Sequence, residues 1–278
     1  MNKIAPIAHT LENTIRKNFA QIFCLLALVI VVVMTLRLQD KIVGWEPGYD
    51  DLQPNHHGWV SSQVLAFITT ATPENNFLGF AEEWKDEQDV VHYDTFDRYP
   101  VFFSAIFNRI LTLVPKPSSK ITLAKLVMNL IFLSTLILAF LLLDKLVKNK
   151  FISLAAVLLA FANPFLLFYK DMVHFDQPAL FGFLLLTYAI ALYKLDGLKI
   201  PVILATFLAI GLGRGYASYA ILILWLAIEG ILVLRKSGLS IGQKLLAILK
   251  HPSFYLLIIG IAWGASLLSY NILVEARK

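Results

Sequence analysis

Long apolar stretches and short polar segments alternate along this chain. The apolar stretches fall near 19–36, 121–143, 151–168, 177–193, 199–212, 217–234 and 253–274, and at about 1.5 Å of rise per residue such runs reach across roughly 30 Å of hydrocarbon. The pattern predicts an all-α fold, a polytopic transmembrane helical bundle of about seven spans. One polar region, 37–120, is too long for a turn. It holds most of the Trp, Asp and His residues that lie outside the spans. No repeat and no low-complexity linker divides the chain, so residues 1–278 read as a single transmembrane domain with one large loop containing interfacial helices.

Within that loop, Pro100 to Val114 is apolar but short for a span, carries Arg109, and ends at Pro115. Were it to cross the membrane, every later connection would invert. Nine basic residues, from Lys145, Lys148 and Lys150 through Lys194 and Lys199 to Arg235, Lys236, Lys244 and Lys250, would then lie outside. The positive-inside bias rejects that arrangement, so Pro100 to Val114 is expected to be an interfacial or re-entrant helix. The amino terminus is then cytoplasmic, and 37–120, the loop Tyr169 to Gln177 and the turn Gly213 to Tyr216 share the extracytoplasmic face.

Composition agrees with a bilayer as solvent: 58% of residues are hydrophobic, 15% charged, and mean hydropathy is +0.70. The net charge of +5 sits in clusters between apolar runs, where it reports topology and not a nucleic-acid partner. Cys24 stands alone in the first apolar run, which excludes an intrachain disulfide and a CxxC metal site. That run follows Lys3, Arg16 and Lys17 and lacks a small-residue cleavage pattern, so it reads as an anchor.

The chemistry-bearing residues gather on the outer segments. Asp50, Asp51, His56 and His57 precede an apolar run and suit general-base work or metal ligation; as solvated loop residues with a helix cap they would need no further role. Asp171, His174 and Asp176 share a short loop, with Asp176 two residues before Pro178, where an N-cap is the plain alternative. Two acidic loops converging on one face would form a paired-carboxylate site. Arg98, after Asp97 and before the interfacial helix, lies where a lipid phosphate lies, or acts as a snorkelling anchor. Arg214 stands between two glycines that leave backbone amides open to an anion.

In this order the features resemble the GT-C superfamily of membrane glycosyltransferases, in particular the lipid-A aminoarabinose transferases and protein O-mannosyltransferases (the family 39/83 type) that use polyprenyl-phosphate-linked sugars. The resemblance rests on four features. They are an acidic pair opening the first outer loop (Asp50-Asp51, where the family has Asp-Glu), Asp97-Arg98-Tyr99-Pro100 before a Pro-led helix, His174-Phe175-Asp176-Gln177-Pro178 in the second outer loop, and Arg214-Gly215 in the next. It implies Asp50, Asp51 and Asp176 as catalytic residues, and Arg98 and Arg214 as phosphate contacts. His56, His57, Asp97, Asp171 and His174 would complete the substrate site. Family members usually continue into further spans, so the chain reads as a truncated or minimal member.

The expected activity is therefore inverting sugar transfer from a polyprenyl-phosphate donor to a glycan, lipid or protein acceptor, by a multi-pass cell-membrane protein working on its extracytoplasmic face. His and Asp together permit a divalent cation. A non-catalytic remnant or scaffold, and a small-solute transporter, are the rival expectations; the latter requires ionisable groups near the bilayer midplane.

Overall fold

The computed structural model describes residues 4–36, 64–69, 80–85, 88, 91–95, 101–170, 172–212 and 216–275. Helix α1 covers Ile4–Met34, and a hairpin of β1 (Phe80–Lys85) and β2 (Val91–Thr95) follows. The remaining helices are α2 (Val101–Leu111), α3 (Pro117–Val147), α4 (Lys150–Phe161), α5 (Pro164–Tyr169), α6 (Asp176–Asp196), α7 (Ile200–Leu212), α8 (Tyr216–Leu234), α9 (Ile241–Leu249) and α10 (Pro252–Glu275). Residues 64–69 are also helical. The bundle is all-helical, as expected. Among the described residues four helices are long and apolar enough to cross a membrane, over Ser118–Val147, Asp176–Asp196, Ala217–Leu234 and Pro252–Tyr270.

Three of the seven expected spans are shorter helices. The apolar part of α1 runs Asn18–Met34, and α7 is Ile200–Leu212. The stretch 151–168 is broken between α4 and α5. Pro164 cannot donate to the preceding turn and pushes the residue before it out of the helical region. Asn163 accordingly sits at φ −82°, ψ 153°, and its side chain accepts from the amide of Leu166 at 2.9 Å, starting the new helix. The Asn-Pro pair was a readable break signal.

Two further elements go beyond the expected pattern. The antiparallel hairpin pairs Glu83 with Tyr93 and Trp84 with His92; alternation in Val91-His92-Tyr93-Asp94-Thr95 was its sequence trace. The basic stretch 235–250 contains α9, begun by a capping box in which Ser240 accepts from the Gln243 amide and the Gln243 side chain accepts from the Ser240 amide. Ile241, Leu245, Leu246 and Leu249 of α9 are exposed, as suits an amphipathic helix at a membrane surface.

Between helices the packing relies on small side chains, since lipid gives apolar residues little reason to prefer each other. Gly182 and Ala189 on α6 face Ala205 and Ala209 on α7, all buried. A Cβ added at Gly182 would lie 2.8 Å from the Ala209 Cα, so the backbones meet there. Apolar side chains on the outside of the bundle, such as Leu159, Ile200 and Ile203, remain exposed.

The basic segments gather at one end of the bundle. Lys145 Nζ on α3 bridges to Asp196 Oδ2 on α6 at 2.7 Å. Lys194 donates to Glu229 Oε1 on α8 at 2.5 Å, and His251 Nε2, just before α10, lies 3.6 Å from Glu229 Oε2. Trp225 Nε1 also donates to Glu229 at 3.3 Å, and Lys244 donates to the Leu234 carbonyl at 2.8 Å. The three basic segments expected to share a face are thus cross-linked to one another.

His251 also caps α10, accepting through Nδ1 from the Ser253 amide at 3.3 Å. Burial pushes its imidazole below the ordinary value; Glu229 opposes this and Lys194 adds to it. A depressed pKa means weaker proton binding when folded, so this contribution is present above about pH 6.5 and is lost as pH falls through the folded value. Thermal unfolding in detergent should therefore show a midpoint that drops as pH falls below about 6.5, and His251→Asn, which keeps a cap acceptor, should flatten that drop. An identical decline in both proteins would contradict the assignment.

Candidate functional site

At the opposite end residues 64–69 and α2 of the long loop pack onto the helices. Val64, Leu65, Phe67 and Ile68 share one buried cluster with Phe103, Phe107 and Leu111 of α2, with Ile121, Ala124 and Met128 of α3, and with Val173 and Phe175; Leu212 of α7 packs against it. Phe175 is the hub. Its ring meets Phe67 edge-on at 6.4 Å and Phe103 at 5.3 Å, the geometry aromatic pairs favour.

A polar clamp closes the same contact. Asn108 Nδ2 on α2 donates to the carbonyls of Ile68 at 2.8 Å and Thr69 at 3.3 Å, satisfying the end of the 64–69 helical segment. Residues 64–69, the 172–175 loop and the end of α7 therefore meet at one place.

Lys170 lies beside this cluster and is 1% exposed. Its ammonium donates to Asn129 Oδ1 on α3 at 3.0 Å, while Asn129 Nδ2 donates to the Lys125 carbonyl at 2.9 Å. A buried cation needs such oriented acceptors, since desolvation would otherwise cost several kcal/mol. The one trace of Lys170 in the sequence is a lysine in a loop expected on the face where the positive-inside bias disfavours lysines.

His174 and Asp176 come together. His174 Nδ1 lies 3.0 Å from Asp176 Oδ2 and 3.3 Å from the Asp176 amide nitrogen. One nitrogen cannot serve both in the same protonation state: bearing a proton it donates to the carboxylate, and without one it accepts from the amide. Asp176 begins α6, where the helix dipole favours an acid, and its side chain is 84% exposed. It does not cap the helix; the N-cap is Phe175, without a side-chain cap bond. Gln177 Nε2 closes the loop onto the Tyr169 carbonyl at 3.0 Å. Gln177 Oε1 and Ser104 Oγ are buried without a hydrogen-bond partner among the described residues, which leaves both open to a ligand or water.

Asp50, Asp51, His56, His57, Asp97, Arg98, Asp171 and Arg214 lie outside the described residues. Among the described residues no three His, Cys, Asp or Glu side chains form a metal-holding group. Comparison with known protein families, curated proteins and solved structures finds no match. The site therefore stands on its own geometry: an aromatic hub, a buried ammonium and a half-buried imidazole beside an exposed carboxylate.

Removing either partner of the Lys170–Asn129 contact has unequal consequences. Asn129→Leu takes an acceptor from a buried ammonium and should cost roughly 1.5–3 kcal/mol, whereas Lys170→Met takes a donor from the neutral Asn129 amide and should cost less. Denaturation of both variants in detergent checks the order; the reverse order would mean that this hydrogen bond contributes little to holding Lys170.

Proposed function

We propose that this chain is a seven-span membrane glycosyltransferase, α4 and α5 crossing together, that takes a sugar from a polyprenyl-phosphate donor on its extracytoplasmic face. The observation that carries the reading is the convergence of the first loop, the 172–176 loop and the end of α7 beside a buried lysine, at the end opposite the basic cross-links. A lipid-borne phosphate travels at that depth of the bilayer, where an ammonium shielded from water attracts it strongly.

In the proposed step the acceptor hydroxyl oxygen attacks the anomeric carbon as the bond to the phosphate oxygen breaks. The hydroxyl proton passes to Asp50 or Asp51, and the bond electrons leave with the polyprenyl phosphate. Arg98, Arg214 and Lys170 offset the charge of that leaving group. Asp176, steadied by His174, orients the acceptor or donor, and the unsatisfied Gln177 Oε1 and Ser104 Oγ offer contacts to sugar hydroxyls. A divalent cation held by the acidic and His residues of the first loop belongs to the same proposal.

A transporter is disfavoured by the placement of charge. Among the described residues the ionisable groups of the bundle lie toward its two ends, with Glu229 five residues before the end of α8 and Lys170 just past α5. A midplane site on broken helices would need them between.

Transfer from a polyprenyl-phosphate sugar in membranes is the test. Asn in place of the general base, at Asp50 or Asp51, should lower the rate by roughly 10²–10⁴-fold, with Asp176→Asn also impaired. Wild-type rates in all three variants would overturn the proposal, and donor binding without turnover in the wild type would identify a non-catalytic remnant.

A further inference from the structure

At the basic end a cleft of about 620 Å³ opens between α1, α3, α4 and α6. Its charged lining is Asp144, Lys145, Lys148, Lys150 and Asp196. Lys145 is engaged by Asp196 at 2.7 Å, and Lys150 lies 3.7 Å from Asp144. Three lysines face two carboxylates, so one positive charge is in excess. Among the described residues no ion pair engages Lys148. The backbone holds Lys148 in place: it is the C-cap of α3 in the left-handed conformation, φ 58°, with its amide on the Asp144 carbonyl at 2.9 Å.

The surroundings of the cleft indicate the ligand. Ile22, Leu146 and Phe151, each next in sequence to a lining residue, are exposed apolar side chains, and Phe151 packs against Phe23 at 6.3 Å. A polar, net-positive hollow bordered by lipid-facing hydrocarbon fits a molecule with an anionic head and apolar chains. We propose that this cleft binds the phosphate-bearing head group of an anionic glycerophospholipid, with its acyl chains along Ile22, Leu146 and Phe151. Tyr188 and Gln21 at the wall supply neutral hydrogen-bonding groups for the rest of the head. This inference stands apart from the enzyme reading, because it concerns the other end of the bundle.

Native mass spectrometry of the full chain in detergent, titrated with dioleoylphosphatidylglycerol or dioleoylphosphatidylcholine, tests it. Phosphatidylglycerol should be retained in preference to phosphatidylcholine. Lys148→Asn removes the charge while suiting the left-handed backbone, and should raise the half-saturating phosphatidylglycerol concentration about fivefold, the worth of one lysine near an anionic surface. Lys199→Asn, at the same end but outside the cleft, should leave it unchanged. Equal retention of the two lipids, an equal effect of both substitutions, or displacement by excess inorganic phosphate would each overturn the proposal; the last would identify a free-phosphate site.

Discussion

Hydrocarbon does not solvate charge, and the architecture follows from where each charged side chain finds either water or a partner. At one end Lys145–Asp196 and the group of Lys194, Glu229, Trp225 and His251 join α3, α6, α8 and the start of α10. At the other, Lys170 and Asn129 join the α5–α6 loop to α3. The intervening packing is apolar and close, with Gly182 against the backbone of Ala209. Polar groups thus fix which helix ends stay together, and small residues fix how near the helices come.

The same constraint gives the two ends different characters. The basic end is cross-linked by ion pairs and carries an amphipathic helix, α9, along its surface. The loop end is built around Phe175, where an aromatic cluster lies beside a buried ammonium and a half-buried His174 paired with the exposed Asp176. Charge shielded from water acts more strongly on a ligand than charge on an open surface, and the proposed transfer places its lipid-borne substrate at the loop end for that reason.

The two-ended plan was legible in the sequence because it depends on one-dimensional signals, apolar run length and the position of Lys and Arg. Pro100 to Val114 was legible for the same reason and appears as the short helix α2. The break at Asn163–Pro164 and the helix after Ser240 had local signals that were masked by neighbouring apolar and basic residues. Lys170 was different in kind. Its burial depends on Asn129, forty-one positions away, and no periodicity announces such a pair. His174 and Asp176 were legible as a pair because they are two residues apart, whereas the shared nitrogen that makes their contact depend on protonation is a matter of geometry alone.

The separation of the two ends across a membrane is the central claim, and single-cysteine labelling tests it most directly. With the buried Cys24 replaced by Ala, one cysteine is introduced as Asp176→Cys, at a side chain 84% exposed, and one as Lys236→Cys, at an exposed position of the basic end. A membrane-impermeant maleimide applied to intact cells should label Asp176→Cys, and should label Lys236→Cys only after permeabilisation. Labelling of both from outside, or the reverse pattern, would contradict the account.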